Sequence, residues 1–260
     1  MNDIADSHFV EQTIAQYQIC AIVPVYNAGI LVKNVLNDLL QYPIDIIVVN
    51  DGSNDGLTLP ILQSFGEKII LCSYNKNIGK GHALKVGFKE ALQRHYHYAL
   101  TMDADGQHRV EDVEKFMHEV VLHQKDALLL GSRSFDNENM PSSNRFANNF
   151  SNFWYKVQTG KKLSDTQTGF RLYPLQALSK MTIFTSRYET ELEILVRLTW
   201  RGIDIAEVPV DVYYPPKEKR VSYFRPQRDF MRISILNTCF CILSIVYGYP
   251  RMLVNRILKK

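Results

Sequence analysis

Two carboxylates two residues apart, Asp103 and Asp105, stand in Met102-Asp-Ala-Asp-Gly-Gln-His108, directly after the apolar run Tyr98-Ala-Leu-Thr-Met102. That run reads as a buried strand, so both acids fall at its carboxyl end. Aspartates so placed can share one hard divalent cation through oxygen ligands, and an ion held by few protein groups keeps room for phosphate oxygens. The spacing suggests a metal–diphosphate site, with Mg²⁺ or Mn²⁺ held by Asp103, Asp105 and Gln107, and chemistry on a nucleotide-activated donor. An acidic turn capping a helix that starts near Val110 is the plainer alternative.

Other strand ends carry polar groups too. Tyr26 and Asn27 follow the run Ile19–Val25, Asn50-Asp-Gly-Ser53 follows Ile44–Val49, Asn75–Lys80 follows Lys68–Cys72, and Gly131-Ser-Arg133 closes Ala127–Gly131. In open parallel sheets, ligands bind beyond the carboxyl ends of the strands. Turn-forming residues explain one or two such ends, not five in succession. Asp51 suits hydrogen bonds from a nucleotide's base or ribose, an Asx turn being the alternative. Lys80 opens a helix between Gly79 and Gly81, where an ammonium and backbone N–H groups suit an anion. The Gly-Lys-Gly pattern matches neither GxGxxG nor the P-loop, which argues against a dehydrogenase or an ATPase.

Arg133 and Arg171 are planar donors suited to phosphate, with surface ion pairs as the competing reading. Asp165 lies in Ser164-Asp-Thr-Gln-Thr-Gly169. Glu191 lies in the first turn of a helix, where the dipole favours acids in any case. Either could be the general base if the acceptor is a hydroxyl.

The elements that must position these groups alternate. Helical patterns over Gly29–Leu40, Leu57–Phe65, Gly81–Arg94 and Val110–His123 separate the five apolar runs, which predicts an α/β domain with a mostly parallel central sheet. The second half is less regular: a helix over Asn144–Thr159, a strand at Phe170–Tyr173, a helix over Thr190–Arg201 closed by Gly202, and strand character over Ile203–Tyr213. The chain divides into an N-terminal extension (1–18), the main domain (19–215) and a basic loop with an apolar C-terminal helix (216–260). That helix starts near Pro226. Its apolar core, Ile233–Tyr249, is 17 residues long, short of the roughly 20 that span a bilayer, and Pro250 is expected to break it. An interfacial or re-entrant segment is preferred over a domain-packing helix.

Bulk properties bound the rest. A chain of 260 residues, 46% hydrophobic and 22% charged, is an ordinary globular protein. Its net charge of +3 is unevenly spread: ten Lys and Arg face only Glu218 and Asp229 beyond residue 214, so the preceding body is acidic. Basic groups flanking an apolar stretch fit an anionic membrane surface better than nucleic acid. Cys20, Cys72, Cys239 and Cys241 show no metal spacing, and three lie in apolar surroundings, so buried free thiols in a reducing compartment are expected. The polar N-terminus carries no secretory signal.

Val23-Pro-Val-Tyr-Asn27, Val48-Val-Asn-Asp-Gly-Ser53, Asn77-Ile-Gly-Lys-Gly81, Met102-Asp-Ala-Asp105 and Asp165-Thr-Gln-Thr-Gly-Phe-Arg171, in this order, resemble family 2 glycosyltransferases, and among them the dolichyl-phosphate or polyprenyl-phosphate sugar synthases. The resemblance implies a GT-A type, Rossmann-like fold. It implies inverting, metal-dependent transfer from a nucleoside diphosphate sugar to a polyprenyl phosphate or other lipid-linked acceptor. Pro24, Tyr26, Asn27, Asp51, Lys80 and Asp103 would shape the nucleotide site, with Asp103, Asp105 and Gln107 as the metal set. Arg133 and the Asp165–Arg171 loop would face the acceptor or the sugar phosphate, and Glu191 matches the acidic position after that loop. Asn50 departs from the family's usual second Asp, and Val221–Phe230 matches the family's basic acceptor segment only loosely. The expected place is the cytoplasm, peripheral on the cytoplasmic face of a membrane. A hydroxyl of a surface glycan is the alternative acceptor. A sugar-nucleotidyltransferase is disfavoured because no Gly-rich basic loop follows the first strand, and a non-catalytic nucleotide-sugar binder is disfavoured by the intact acid set.

Overall fold

The computed structural model describes residues 2–123, 126–133, 142–214 and 225–258. Seven strands, β1 (Ile19–Val25), β2 (Asp45–Asp51), β3 (Ile70–Tyr74), β4 (Tyr98–Thr101), β5 (Ala127–Arg133), β6 (Arg171–Pro174) and β7 (Asp204–Val210), form one sheet in the order β3-β2-β1-β4-β6-β5-β7. Every pairing is parallel except those of β6, which runs antiparallel to both β4 and β5. The chain therefore adopts the expected α/β class.

Unbroken apolar runs make these strands because both faces of the sheet are covered. Successive residues alternate between two cores. Ile19, Ala21 and Val23 pack with helices α1 (Asn2–Gln16), α2 (Ile30–Leu39) and α5 (Asp112–Leu122). Cys20 and Ile22 pack with α4 (Lys80–Gln93) and α8 (Glu189–Trp200) on the other side. Helices α3 (Thr58–Ser64), α6 (Ser142–Thr159) and α7 (Leu175–Ser179) complete the body.

The functional crevice follows from strand order. From β1 the chain winds outward to β2 and β3, then crosses back to place β4 on the other flank of β1, which is a topological switch point. The β1–β4 ladder ends at Ile22 and Thr101, whereas the β1–β2 ladder continues to Val25 and Asn50. Pro24, without an N–H to donate, stands beyond the last β1–β4 pair. The two strands part there and leave a cleft.

Three expectations need correction. The polar first eighteen residues are not a bare extension: Val10 and Ile14 of α1 are buried in the core, and Phe9 stacks on His118 of α5 at 4.5 Å. Pro250 does not end the last helix. α9 (Pro226–Leu243), a π-helical turn (Ser244–Gly248) and α10 (Tyr249–Leu258) run on without a break. The widened turn before Pro250 relieves the clash and the lost hydrogen bond that a proline imposes on a regular helix. The cysteines are free as expected, but only Cys20 is buried, and Cys239 is exposed on the outer side of α9. The basic segment from Pro215 to Phe224 lies outside the described residues.

Candidate active site

At the parting of β1 and β4 lies a cavity of about 310 Å³. Of the residues singled out from sequence, Pro24, Tyr26, Asp51, Lys80, Asp103 and Asp105 line it. Asn27, Gln107, Arg133, Asp165, Arg171 and Glu191 do not, and their contacts explain why.

Asp51, the last residue of β2, is almost fully buried. Its carboxylate accepts hydrogen bonds from the backbone N–H groups of Ile78 and Gly79, both at 2.8 Å, and from the Asn77 amide at 2.9 Å. It therefore fixes the loop that delivers α4, and these oxygens are already engaged rather than free for a base or ribose. Asn27 does a similar job one strand over. Its side chain exchanges hydrogen bonds with the Asn54 amide and backbone, at 2.9 and 2.7 Å, which ties the β1–α2 loop to the β2–α3 loop beneath Tyr26.

Lys80 is the first residue of α4, a poor place for a cation because the helix dipole is positive there. Two carboxylates offset that cost: Asp103 at 2.7 Å and Glu191 at 3.1 Å. Burial opposes the ammonium, but these two anions outweigh it and hold the Lys80 pKa above its ordinary value. Reciprocally, burial raises Asp103 while Lys80, and then His108, hold it below the usual carboxylate range. Asp105 has no ion-pair partner among the described residues, and Lys80 acts on it only from farther off. Burial first, and the charge of Asp103 second, push its pKa up to about 6. Crowding this close leaves no spare volume: a Cβ on Gly169 would overlap Asp103 Oδ2 and Lys80 Nζ.

The donor set fits a hard divalent cation. Two carboxylates share one pocket, and the one without a cationic partner is destabilised as an anion by burial and by its neighbour, a conflict that a divalent ion would relieve. Gln107, two residues on, donates its backbone N–H to Asp105 Oδ1 at 3.0 Å and so stiffens the turn. Among the described residues no cluster of three or more His, Cys, Asp and Glu could hold a metal by itself. The ion would therefore depend on Gln107, water and a diphosphate for its remaining ligands.

The two sequence-predicted arginines serve the scaffold. Arg171 is fully buried. Its guanidinium donates to the carbonyls of Thr168 (2.7 Å), Thr166 (3.0 Å) and Glu191 (2.9 Å). It fastens the Asp165–Phe170 loop to α8 instead of meeting a phosphate. Arg133 forms a two-pronged pair with the fully buried Asp165, Nε to Oδ2 and Nη2 to Oδ1 at 2.5 and 2.9 Å. Glu191 is 7% exposed and holds Lys80.

Sequence reading missed Arg187 and Tyr188 as contributors, whereas Arg225 lies in the segment Val221–Phe230 that it compared with the family's basic acceptor segment. Arg187, Tyr188 and Arg225 line the cavity, brought there by the segment before α8 and by the residue before α9. Among the described residues no carboxylate lies within ion-pair distance of the Arg187 or Arg225 guanidinium. The only sequence signal for Arg187 was a basic residue beside an acidic helix start. His108 packs on Phe170 at 5.2 Å, with its Nδ1 buried and unpartnered. Burial, with Arg133 and Lys80 nearby, pushes its pKa down to about 4 against the pull of Asp103.

The asparagine-rich face of α6 was also missed. Asn148 and Asn152 donate to the Ser164 carbonyl at 2.8 and 2.7 Å, and Asn152 Oδ1 accepts from the Thr166 N–H and hydroxyl at 3.1 and 2.7 Å. Asn152 thus sets the loop that carries Asp165. Asn152→Ala is expected to remove about 2 kcal/mol of local hydrogen bonding. We expect kcat to fall roughly tenfold through misplacement of the loop, with the circular dichroism spectrum unchanged. Steady-state kinetics check this.

Residues 20–182 match the model of glycosyl transferase family 2. The chain belongs to that family. This glycosyltransferase is 31% identical over 222 residues to the UDP-N-acetylglucosamine–dolichyl-phosphate N-acetylglucosaminyltransferase of Methanococcus voltae, covering 77% of this chain and 88% of that one. It is also 31% identical to the dolichyl-phosphate beta-glucosyltransferase of Dictyostelium discoideum, over 73% of this chain but only 64% of that protein. The fold is shared with the crystal structure of mannosyl-3-phosphoglycerate synthase from Rubrobacter xylanophilus, at a TM-score of 0.60 and 18% identity over 95% of this chain and 78% of that one. Enzymes of this family use nucleotide-sugar donors.

Proposed function

We propose that this glycosyltransferase moves a sugar, with inversion, from a nucleoside diphosphate sugar to a polyprenyl phosphate, with Mg²⁺ or Mn²⁺ and at the cytoplasmic face of a membrane. The observation that carries the choice of acceptor is the fate of the two candidate bases. A hydroxyl acceptor needs a carboxylate to take its proton. Asp165 is fully buried against Arg133, Glu191 is held by Lys80, and neither lines the cavity. A phosphate acceptor is already an anion and needs cations instead, which Arg187 and Arg225 supply in the cavity wall.

In this reading an acceptor phosphate oxygen attacks the anomeric carbon. The new C–O bond forms as the bond to the diphosphate breaks, and the electron pair leaves on the diphosphate. Lys80, held between Asp103 and Glu191, places its positive charge beside the departing group without being free to swing away. Asp103, Asp105 and Gln107 would hold the divalent ion, whose chemistry when bound is to neutralise charge growing on the leaving diphosphate. Arg187 and Arg225 orient the acceptor phosphate through charge-assisted hydrogen bonds. The dolichyl-phosphate substrates named for the two relatives support the lipid-phosphate class.

The test is incorporation of labelled sugar from UDP-, GDP- and dTDP-sugars, with Mn²⁺, into polyprenyl phosphate or into a water-soluble oligosaccharide. Label is expected in the organic phase. Arg187→Ala should lower kcat/KM for the lipid phosphate by roughly 10- to 100-fold, the worth of a hydrogen bond to a charged group. Label confined to the oligosaccharide would favour a glycan hydroxyl as acceptor.

A further inference from the structure

The helical run Gln227–Leu258 is 32 residues long, with a mean hydropathy of 1.7 in its most apolar window, and only 17% of that window is buried. At 1.5 Å per residue it extends to about 48 Å, longer than the roughly 30 Å hydrocarbon layer. Length and composition would let it cross a bilayer, but its contacts do not.

One side of the run is fastened to the catalytic body from Asn237 to Asn255. Before that stretch the buried Asp229 carboxylate caps the run itself, accepting the Arg225 N–H at 2.7 Å. Asn237 Oδ1 accepts from the buried Gln158 amide at 2.9 Å. Phe240 packs on Trp200 at 5.2 Å, and Ser244 is buried. Gly248 lies so close to the Trp200 indole that a Cβ would collide with it. Near the far end the Asn255 amide reaches the Trp200 carbonyl at 3.2 Å. Phe240, Ser244 and Gly248 recur every four residues, a spacing that drifts by about 40° per step on a regular helix. The π-helical turn absorbs that drift and keeps the stripe on the body. Pulling the run out to span a membrane would break the Gln158–Asn237 hydrogen bonds and uncover the Trp200 indole.

The opposite side is apolar and uncovered. Ile242, Ile245, Val246, Leu253 and Ile257 are 60–72% exposed, and Val254 beside them is 44% exposed. On α6, Phe146 and Phe153 are 68% and 56% exposed. Arg228, Arg232, Arg251 and Arg256 are exposed along the run, and its one acid, Asp229, is buried. Arg225, the residue just before α9, lines the catalytic cavity, so this face begins at the site.

We propose that α9–α10, together with the outer face of α6, forms a monotopic docking face that lies flat in the interfacial layer of an anionic bilayer, with the mouth of the donor cavity at headgroup level. This rests on the lipid-phosphate reading only for its purpose, since the docking itself needs no substrate. Apolar area enters the acyl boundary while the flanking arginines meet anionic headgroups, the arrangement of an in-plane amphipathic helix. A second copy of the chain is the poorer occupant: a symmetric contact would set these arginines against their own copies.

The experiment is vesicle flotation of the full chain, without substrates, on phosphatidylcholine vesicles with and without phosphatidylglycerol, whose negative headgroups stand for an anionic leaflet. The chain should float with the anionic vesicles and be stripped by alkaline carbonate. Ile245→Glu with Val246→Glu should cut binding roughly tenfold or more, while turnover on a short-chain prenyl phosphate in detergent stays within about twofold, which shows that the variant is folded. Carbonate-resistant binding with the C-terminus protected inside the vesicles would overturn the proposal in favour of a spanning helix. Absence of vesicle binding, with a dimer that the double variant dissolves, would overturn it in favour of a second copy. Vesicle binding without transfer to polyprenyl phosphate would instead remove the acceptor assignment and leave the docking face standing.

Discussion

Lys80→Met is expected to lower both stability and turnover, and by large amounts. The substitution keeps most of the side-chain volume but leaves Asp103 and Glu191, which lie 2.7 and 3.1 Å from the ammonium, without a counter-ion. Breaking a buried pair from one side costs roughly 3–5 kcal/mol, which for a domain of this size is a fall of roughly 6–20 °C in melting temperature. Because Glu191 is only 7% exposed, water cannot replace the lost partner there. Turnover should fall further than stability accounts for, since the same ammonium stands beside the leaving diphosphate. Thermal melts and donor turnover measure the two effects separately. A variant as stable as the parent would show that the triad does not hold α4 to α8.

Asp105→Asn should do the opposite to stability. Asp105 has no ion-pair partner among the described residues, and burial and Asp103 already push its pKa up to about 6. A neutral amide of equal size relieves that conflict, so the melting temperature should hold or rise slightly. Activity should nevertheless fall by roughly 10²–10³-fold, the loss typical of removing one preorganised group that stabilises transition-state charge. A stable protein with lost turnover separates a binding role from a scaffold role. Retained turnover would remove Asp105 from the site.

Much of the site was legible because strand ends are legible. Apolar runs alternating with helical patterns dictate a parallel sheet, and a parallel sheet gathers its carboxyl-end residues at one edge. That logic placed Tyr26, Asp51, Lys80, Asp103 and Asp105 together without knowledge of strand order, the family resemblance added Pro24, and the structure brings these six into one cavity. It could not say which polar group faces ligand and which holds a neighbour. Asp51 and Arg171 are the clearest cases: both have the chemistry to bind a nucleotide or a phosphate, and both spend it on backbone groups contributed by other segments. Those partners are set by long-range packing that residue type does not reveal.

Arg187 escaped notice for the converse reason. It sits just before α8, whose placement beside the cavity depends on the antiparallel strand β6, which has no local signature. α1 was overlooked because its apolar residues are few and its burial rests mainly on Val10 and Ile14. Pro250 misled because proline normally ends a helix, and a π-helical turn is not written in the apolar periodicity.

The separation of roles within the acidic cluster now has a simple form. Asp103 is tied to Lys80 and faces the cavity, Glu191 is tied to Lys80 behind it, Asp165 is tied to Arg133 outside it, and the charge of Asp105 alone meets no ion-pair partner among the described residues. If that charge exists to meet a divalent ion with a diphosphate, affinity for the ion must depend on it.

Titration of Mn²⁺ into the enzyme in the presence of a nucleoside diphosphate, followed by water-proton relaxation, tests this most directly. The account predicts one tight site in the parent enzyme that Asp105→Asn weakens by roughly 10-fold or more. Equal affinity in parent and variant would contradict it, and with it the reading of this cavity as the place where the sugar leaves its diphosphate.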